Sequence, residues 1–398
     1  MPKLLRITTV PISLHKLLKG QFAFMQQNDF EVFLASSEGK EIEVIEKETG
    51  IKVHILPLKR NISLLNDLSA LWATYRLIKE LKPDIVHTHT PKAGLIGMMA
   101  AWLARVPIRM HTVAGLPLME ATGLKKSVLE MTERITSFCA THTYPNSFAL
   151  QNYMLQHKLV SKSKAKVIAN GSSNGIDIAH FDPNCYKPAA KERLKATLNI
   201  DDKDFVFTFI GRLVGDKGIN ELVEAFTQLT KFRTLSEVEV SEGTGVRLLL
   251  VGTPEPELDP LSPETQRQLK ENPHIIQAGW QEDVRLYLAI TDVFVFPSYR
   301  EGMPNVVLQA GAMGLPQIVT DINGSNEIIR LSENGIIIPP KQVVPLYEAM
   351  QELMLNNEKR SLMSANARPL IANRFDQKVV WDALLEAYTT QMSRFANE

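Results

Sequence analysis

A chain of 398 residues with 44% apolar residues exceeds what one core holds, since single cores stop growing at roughly 250 to 300 residues, so two domains are expected. Its 44 Lys+Arg balance 44 Asp+Glu, which argues against a nucleic-acid binder resting on a strongly basic surface. Two cysteines, Cys139 and Cys185, imply no disulfide framework and fit a reducing cytosol.

Charge is uneven along the chain. Through Gly175 there are 22 basic and 13 acidic residues, a net of +9, which leaves a net of −9 for the remainder. A basic first half reads either as a solvated surface or as one drawn to an anionic partner, such as a phosphate-bearing acceptor or the inner face of a membrane. The start, Met1-Pro2-Lys3-Leu4-Leu5-Arg6, places charges where a signal peptide needs an apolar run. The longest apolar stretch, Ala93 to Ala104, is shorter than the ~20 residues of a spanning helix. The expected location is the cytoplasm, with any membrane contact peripheral.

In chain order, short apolar runs alternate with segments of helical period, the pattern of parallel sheets built from strand-helix units. Strands are expected at Leu4 to Val10, Glu31 to Ala35, Lys52 to Leu56, Ile85 to Thr88, Ile108 to Thr112, His142 to Pro145 and Ala165 to Ile168. Between them, helices are expected at Leu64 to Leu81, ending before Pro83, and Lys92 to Leu103, beginning after Pro91. Asn170 to Pro183, rich in turn residues, reads as a hinge. A second series has strands at Phe205 to Ile210, Val246 to Val251, His274 to Gln277, Val293 to Phe296, Gln317 to Thr320 and Gly335 to Ile338. Its helices are expected at Gly218 to Leu229, Val284 to Ile290, Asn305 to Met313 and Val344 to Asn356, and Val379 to Tyr388 reads as a final amphipathic helix. The predicted class is α/β, two doubly wound Rossmann-like domains facing across a cleft. In such sheets ligands bind beyond the carboxyl ends of strands, which directs attention to the loops after Ile210, Val251 and Phe296.

After Ile210 comes Gly211-Arg212-Leu213-Val214-Gly215-Asp216-Lys217-Gly218. Arg212 offers a bidentate fork and Lys217 a point charge just before a helix start, whose amides and positive end also suit an anion. By itself the turn reads equally as a phosphate cradle or a solvated loop. After Phe296, Pro297-Ser298-Tyr299-Arg300 leads to Glu301, Gly302 and a helix that Pro304 is expected to open at its first position. Amides of Gly302, Met303 and Asn305 would face a diphosphate, Glu301 would accept from sugar hydroxyls, and Gln309, two turns on, would reach a ribose. The plainer alternative has Glu301 favouring the helix electrostatically and Gln309 as an ordinary helix former.

At these residues the chain resembles the retaining glycosyltransferases of the GT-B fold, whose hallmark is two glutamates with seven residues between them and an upstream Gly-Arg…Lys-Gly turn. The resemblance extends through Thr88-His89-Thr90-Pro91-Lys92-Ala93-Gly94, Thr112-Val113-Ala114-Gly115, Asn170-Gly171-Ser172-Ser173-Asn174-Gly175-Ile176-Asp177, the Arg212/Lys217 turn and Pro297-Ser298…Glu301-Gly302. More narrowly, it is similar to bacterial transferases that build capsular and other surface glycans on polyprenyl-diphosphate carriers.

The resemblance implies residues 1–175 as an acceptor-binding domain with 377–398 packed back on it, and 176–376 as a nucleotide-sugar donor domain. Arg212, Lys217 and Glu301 would be catalytic, and Gly211, Gly302, Met303, Pro304, Asn305 and Gln309 would bind a donor, a UDP-sugar by preference. His89, Thr90, Lys92 and His111 would lie near the glycan or lipid-linked acceptor. No metal and no cofactor is expected, the nucleotide-sugar being a co-substrate.

Two positions depart from the family pattern. Gln309 stands where a second glutamate usually holds ribose, and Ala114 where a histidine sits beside the donor sugar; His111, an odd number of strand positions away, faces the opposite side. These departures keep open a glycan-binding scaffold without transfer; an isomerase of the same fold is a second alternative, which needs a carboxylate or histidine acid/base set around the sugar where only Glu301 is evident. His87 and His89 alternate at a strand end, but no neighbouring carboxylate or cysteine completes a ligand set. Leu116-Pro117-Leu118-Met119-Glu120-Ala121 with Lys125-Lys126 reads as a buried loop or as a lipid-facing patch.

Overall fold

A computed structural model describes residues 1–59, 63–119, 121–235, 245–257 and 259–397. The chain divides into two compact units: Met1–Gly175 together with the chain from Gln377 onward, and Ile176–Asp376. The break falls inside the turn-rich segment, where Gly171, Ser172 and Gly175 all take positive φ.

The first unit holds β1 (Lys3–Ile7), β2 (Glu31–Ser36), β3 (Val53–Ile55), β4 (Ile85–His89), β5 (Ile108–Val113) and β6 (His142–Pro145), all parallel, in the order β3-β2-β1-β4-β5-β6. The second holds β7 (Phe205–Ile210), β8 (Val246–Val251), β9 (Ile275–Gly279), β10 (Val293–Phe296), β11 (Gln317–Thr320) and β12 (Gly335–Ile338), in the order β12-β11-β10-β7-β8-β9. Read from the other edge, the second order repeats the first. Each sheet reverses strand order beside its first strand, between β1 and β4 and between β7 and β10, the topological switch point at which doubly wound folds place ligands.

Helices cover both faces, so the central strands are buried on both sides and read as continuous apolar runs such as Val293–Phe296. In the first unit one face of the sheet packs on a core around Leu14, Phe22, Leu34 and Leu384, and the other on a core around Leu5, Ile7, Val86 and Ala93. Helix Gln377–Asn397 belongs to the first of these through Leu384 and Tyr388, which closes the chain back onto the unit in which it began.

Three expectations need correction. Ala165 to Ile168 forms no seventh strand: Ala165 makes one isolated bridge to Thr143, and Val167 and Ile168 are buried without a ladder because the chain turns off the sheet edge at Ala169, which takes a φ of 48°. Strand β1 stops at Ile7 rather than Val10, since the Thr8 and Thr9 hydroxyls turn to Ser36 (3.2 Å) and Thr90 (2.7 Å). Pro304 does not open its helix at the first position; it is the N-cap, with extended backbone (φ −74°, ψ 111°), and the helix is Asn305–Ala312.

Candidate functional site

In the second unit, the two loops singled out by sequence meet beyond the carboxyl ends of β7 and β10. Gly218 takes φ 71°, and a Cβ there would run into the Pro297 carbonyl, so only glycine lets the β7 loop lie against the β10 loop. The Tyr299 amide donates to the Asp216 carbonyl (2.9 Å), and the Tyr299 hydroxyl donates to Glu221 Oε1 (2.6 Å). Burial together with Glu221 pushes that phenol well above its ordinary range. On the far side, Gly324 (φ 78°) abuts the Gly302 carbonyl, and Asn323 Nδ2 donates to the carbonyls of Glu301 (2.9 Å) and Gly302 (3.2 Å). The Thr320 hydroxyl, at the end of β11, holds the Ser298 carbonyl.

This frame places Lys217 Nζ 2.5 Å from Glu301 Oε1 and 3.5 Å from Ser298 Oγ, with Ser298 Oγ also 3.3 Å from Glu301 Oε1. Both ion-pair partners are mostly buried, so their attraction is less screened than that of a surface pair. Arg212 is separate from them: its guanidinium is 41% exposed and lies 3.5 Å from Glu255. Arg300 pairs with Asp216 at 3.4 Å.

Gly302 leads into the helix, where the Pro304 carbonyl accepts from Val307 (3.1 Å) and Leu308 (3.3 Å). The Asn305 and Val306 amides, first in the helix, have no intrahelical acceptor. Met303 is buried in the core and anchors this turn through its side chain. Asn305 is exposed and Gln309 half-buried, four residues apart on one helix face. Gly211, φ 155°, ends β7 with its amide on the Val251 carbonyl (2.9 Å). A cation beside a carboxylate, in front of unpaired helix amides, can bind an anion and a polyol together.

The first-unit candidates are not brought together. His89 lies on one face of the sheet, where Arg6 Nε donates to its Nε2 (3.1 Å). His111 lies on the other face, bonded to Thr88 Oγ1 (2.8 Å), with its ring beneath Gly94, and burial pushes it down to about 4. Thr90 (φ 75°) caps the helix Pro91–Leu103 and bonds Thr9, while Lys92 is held by Asp67 at 2.6 Å.

Sequence reasoning passed over what surrounds His89. Arg6, fully buried, also donates from Nη1 to Tyr388 OH (3.0 Å) and from Nη2 to Gln21 Oε1 (2.8 Å). His87 sits between Tyr388 OH (2.6 Å at Nδ1) and Thr112 Oγ1 (2.8 Å at Nε2) and stacks on His89 at 4.3 Å. Burial first, then the Arg6 charge, holds His87 well below its ordinary value; His89 is lowered by burial, then by His87 and Arg6. Both are therefore neutral at pH 7, with Tyr388 OH accepting from Arg6 and free to donate to His87. The available signal was an arginine inside the apolar run Leu4–Ile7. Asn323, also passed over, was marked only by an Asn-Gly pair after a strand. Glu120 lies outside the described residues. Among the described residues, no three His, Cys, Asp or Glu side chains gather as metal ligands, and no helix is long and apolar enough to cross a membrane.

Comparison with known proteins adds to this geometry. Residues 190–369 match the family model described as glycosyl transferases group 1, and residues 23–171 match that of the glycosyl transferase 4-like domain. The chain is 33% identical over 388 residues, covering 98% of it and 97% of the relative, to the capsular polysaccharide biosynthesis glycosyltransferase CapM of Staphylococcus aureus. It is 31% identical to the UDP-Gal:alpha-D-GlcNAc-diphosphoundecaprenol alpha-1,3-galactosyltransferase of Escherichia coli, covering 93% of this chain and 94% of that one. Among solved structures, Anabaena HepE in complex with UDP superposes with a TM-score of 0.77 at 19% identity, covering 98% of this chain and all of that one.

Proposed function

The chain belongs to the glycosyl transferases of group 1, with the GT-B fold, and we propose that it moves a sugar, with retention, from a UDP-sugar to a polyprenyl-diphosphate-linked glycan during capsule or other surface-polysaccharide synthesis. The observation that carries this reading is the Lys217–Glu301 pair before the unpaired amides of helix Asn305–Ala312. The nucleotide and the acceptor class are supported by the activity named for the Escherichia coli relative and by the UDP complex of the Anabaena protein.

The second unit is the donor domain. Lys217 and the Gly302–Asn305 amides hold the diphosphate, joined by Arg212, whose exposed guanidinium is only loosely tied to Glu255. Glu301 accepts from hydroxyls of the donor sugar and Gln309 from those of ribose. The anomeric carbon–oxygen bond to the diphosphate breaks while the acceptor oxygen bonds to that carbon on the same face. The acceptor proton passes to the leaving phosphate oxygen. Stabilising the charge that grows on that phosphate is the main catalytic term, commonly worth a few kcal/mol per well-placed donor. No metal is required by this scheme, so chelation with EDTA should leave turnover unchanged.

A panel of UDP- and GDP-sugars, offered with a polyprenyl-diphosphate glycan and followed by NMR of the product anomer, tests the reading. An α-linked product from an α-linked UDP-sugar supports it, and an inverted product overturns the retaining mechanism. Ala114 and Gln309 favour the rival of a scaffold without transfer; calorimetry showing no binding of any nucleoside diphosphate would favour that rival.

A further inference from the structure

Helix Gly123–Cys139 in the first unit packs Leu129 and Ile135 against apolar clusters, yet leaves much of its apolar surface outside. Its buried residues are Glu133, Thr136, Ser137 and Cys139, three of them polar, and the Glu133 Oε2 and Ser137 Oγ atoms have no hydrogen-bond partner among the described residues. Its outward side carries Leu124, Val128, Met131 and Phe138, which are 82%, 42%, 56% and 68% exposed. Spacings of four, three and seven put these on one stripe, about 21 Å long at 1.5 Å per residue. Trp102, also exposed, lies against Phe138 at 6.2 Å between ring centres and widens the stripe at that end. A surface helix normally turns such a stripe to the core, so an outward one needs an apolar partner.

Charge says which partner. From Gly123 to Lys166 there are seven Lys and Arg against two Glu; Glu133 is buried, and Glu130 pairs with Arg134 at 3.5 Å. At the Phe138 end a groove of about 850 Å³ is lined by Leu155, Leu159, Lys158 and Lys162 together with Phe138 and Ser137. Lys164, in the same groove, is spent on the helix end: its ammonium donates to the carbonyls of Ser137, Phe138 and Ala140 (2.6–3.0 Å). A second copy of the chain docked symmetrically would set this basic face against itself, which like charges oppose. An apolar stripe with aromatic residues at one end and lysines beside it matches the boundary between anionic headgroups and acyl chains.

We propose that the Leu124–Phe138 face, with Lys158 and Lys162, docks the first unit on an anionic bilayer surface. The inference deepens the reading of a lipid-linked acceptor by assigning the surface that brings the enzyme to it. Its test needs neither donor nor acceptor, so it stands or falls apart from that reading.

The test is flotation of the full chain with vesicles of phosphatidylglycerol and phosphatidylcholine, against phosphatidylcholine alone. The wild type should float with the anionic vesicles only. Met131→Asp/Phe138→Asp should abolish flotation, and Lys158→Glu/Lys162→Glu should weaken it at least ten-fold, since each lysine near such a surface contributes roughly five-fold. Circular dichroism melts and calorimetric UDP binding should match wild type for both variants, showing that folding and the donor site are intact. The proposal is overturned if the wild type stays at the bottom of the gradient or the aspartate variant floats as wild type does. It is also overturned if sedimentation shows a dimer that Met131→Asp/Phe138→Asp dissociates.

Discussion

The two units share a strand order and place polar side chains at their switch points, yet they use them in opposite ways. In the first unit Arg6, His87, His89, Gln21 and Tyr388 bond to one another behind the sheet, fully buried, and Gln21 extends the network to Asn174, which also accepts from Trp381 of the last helix (2.7 Å). In the second unit Lys217 and Glu301 are braced from behind by Ser298, Thr320 and Asn323, while Arg212 and the Asn305 amide end of the helix remain accessible. A closed polar network fixes structure, because each lost bond leaves a desolvated partner. A braced but open one offers its groups to a ligand. The comparison teaches that buried charge at a switch point marks function only when its bonds leave some capacity unused.

The largest effect should come from the open cluster. Lys217→Ala and Glu301→Ala should each lower kcat about 100-fold or more, a loss larger than any unfolding of the variants at the assay temperature explains, which circular dichroism checks. Arg212→Ala should act in the same direction. Near-normal transfer by these variants would erase the distinction between the units and the donor assignment with it.

Arg6→Met probes the closed network. It strands acceptors on His89, Gln21 and Tyr388 and should cost about 3 kcal/mol of stability, read by urea unfolding through the first unit's Trp72, Trp102 and Trp381. UDP affinity should not change. A stable variant with impaired transfer would instead place Arg6 among the functional groups.

Glu133 gives the next effect, and its sign follows from burial. Its carboxyl is raised from an ordinary 4.5 to about 7, so the folded state holds a proton that the unfolded state has released; stability is full below about pH 4.5 and declines as pH rises through 7. Glu133→Met should therefore gain roughly 2 kcal/mol over wild type at pH 8 and much less at pH 5, measured by denaturant midpoints at the two pH values. A gain equal at both would mean that packing, not ionisation, governs the site.

The smallest effect is expected at Gln309. Replacing it with Glu restores a charge-assisted bond to a hydroxyl, which is about twice as strong as a neutral one, and should lower the donor KM a few-fold with little change in kcat. An unchanged KM would remove Gln309 from the donor site.

Much of this was legible in the chain alone. Alternating apolar runs gave eleven of the twelve described strands to within two residues at each end, because strands buried on both faces need near-continuous Val, Ile, Leu and Phe, as in Val246–Val251 and Val293–Phe296. Glycine and charge spacing isolated the Arg212–Gly218 turn and the Glu301–Gln309 segment, since both are local in sequence and each prepares a helix start. What sequence left open was which charges share a neighbour. Lys217 meets Glu301 across 84 residues, Arg6 meets Tyr388 across 382, and Arg212 meets neither Lys217 nor Glu301. Strand order and close glycine contacts such as Gly218 on Pro297 decide those meetings, and neither is written in local periodicity. Helix Gly123–Cys139 is the sharpest case: its pattern is amphipathic in sequence, but only the packing of its neighbours shows that Glu133, Thr136 and Ser137 face in while Leu124, Val128, Met131 and Phe138 face out.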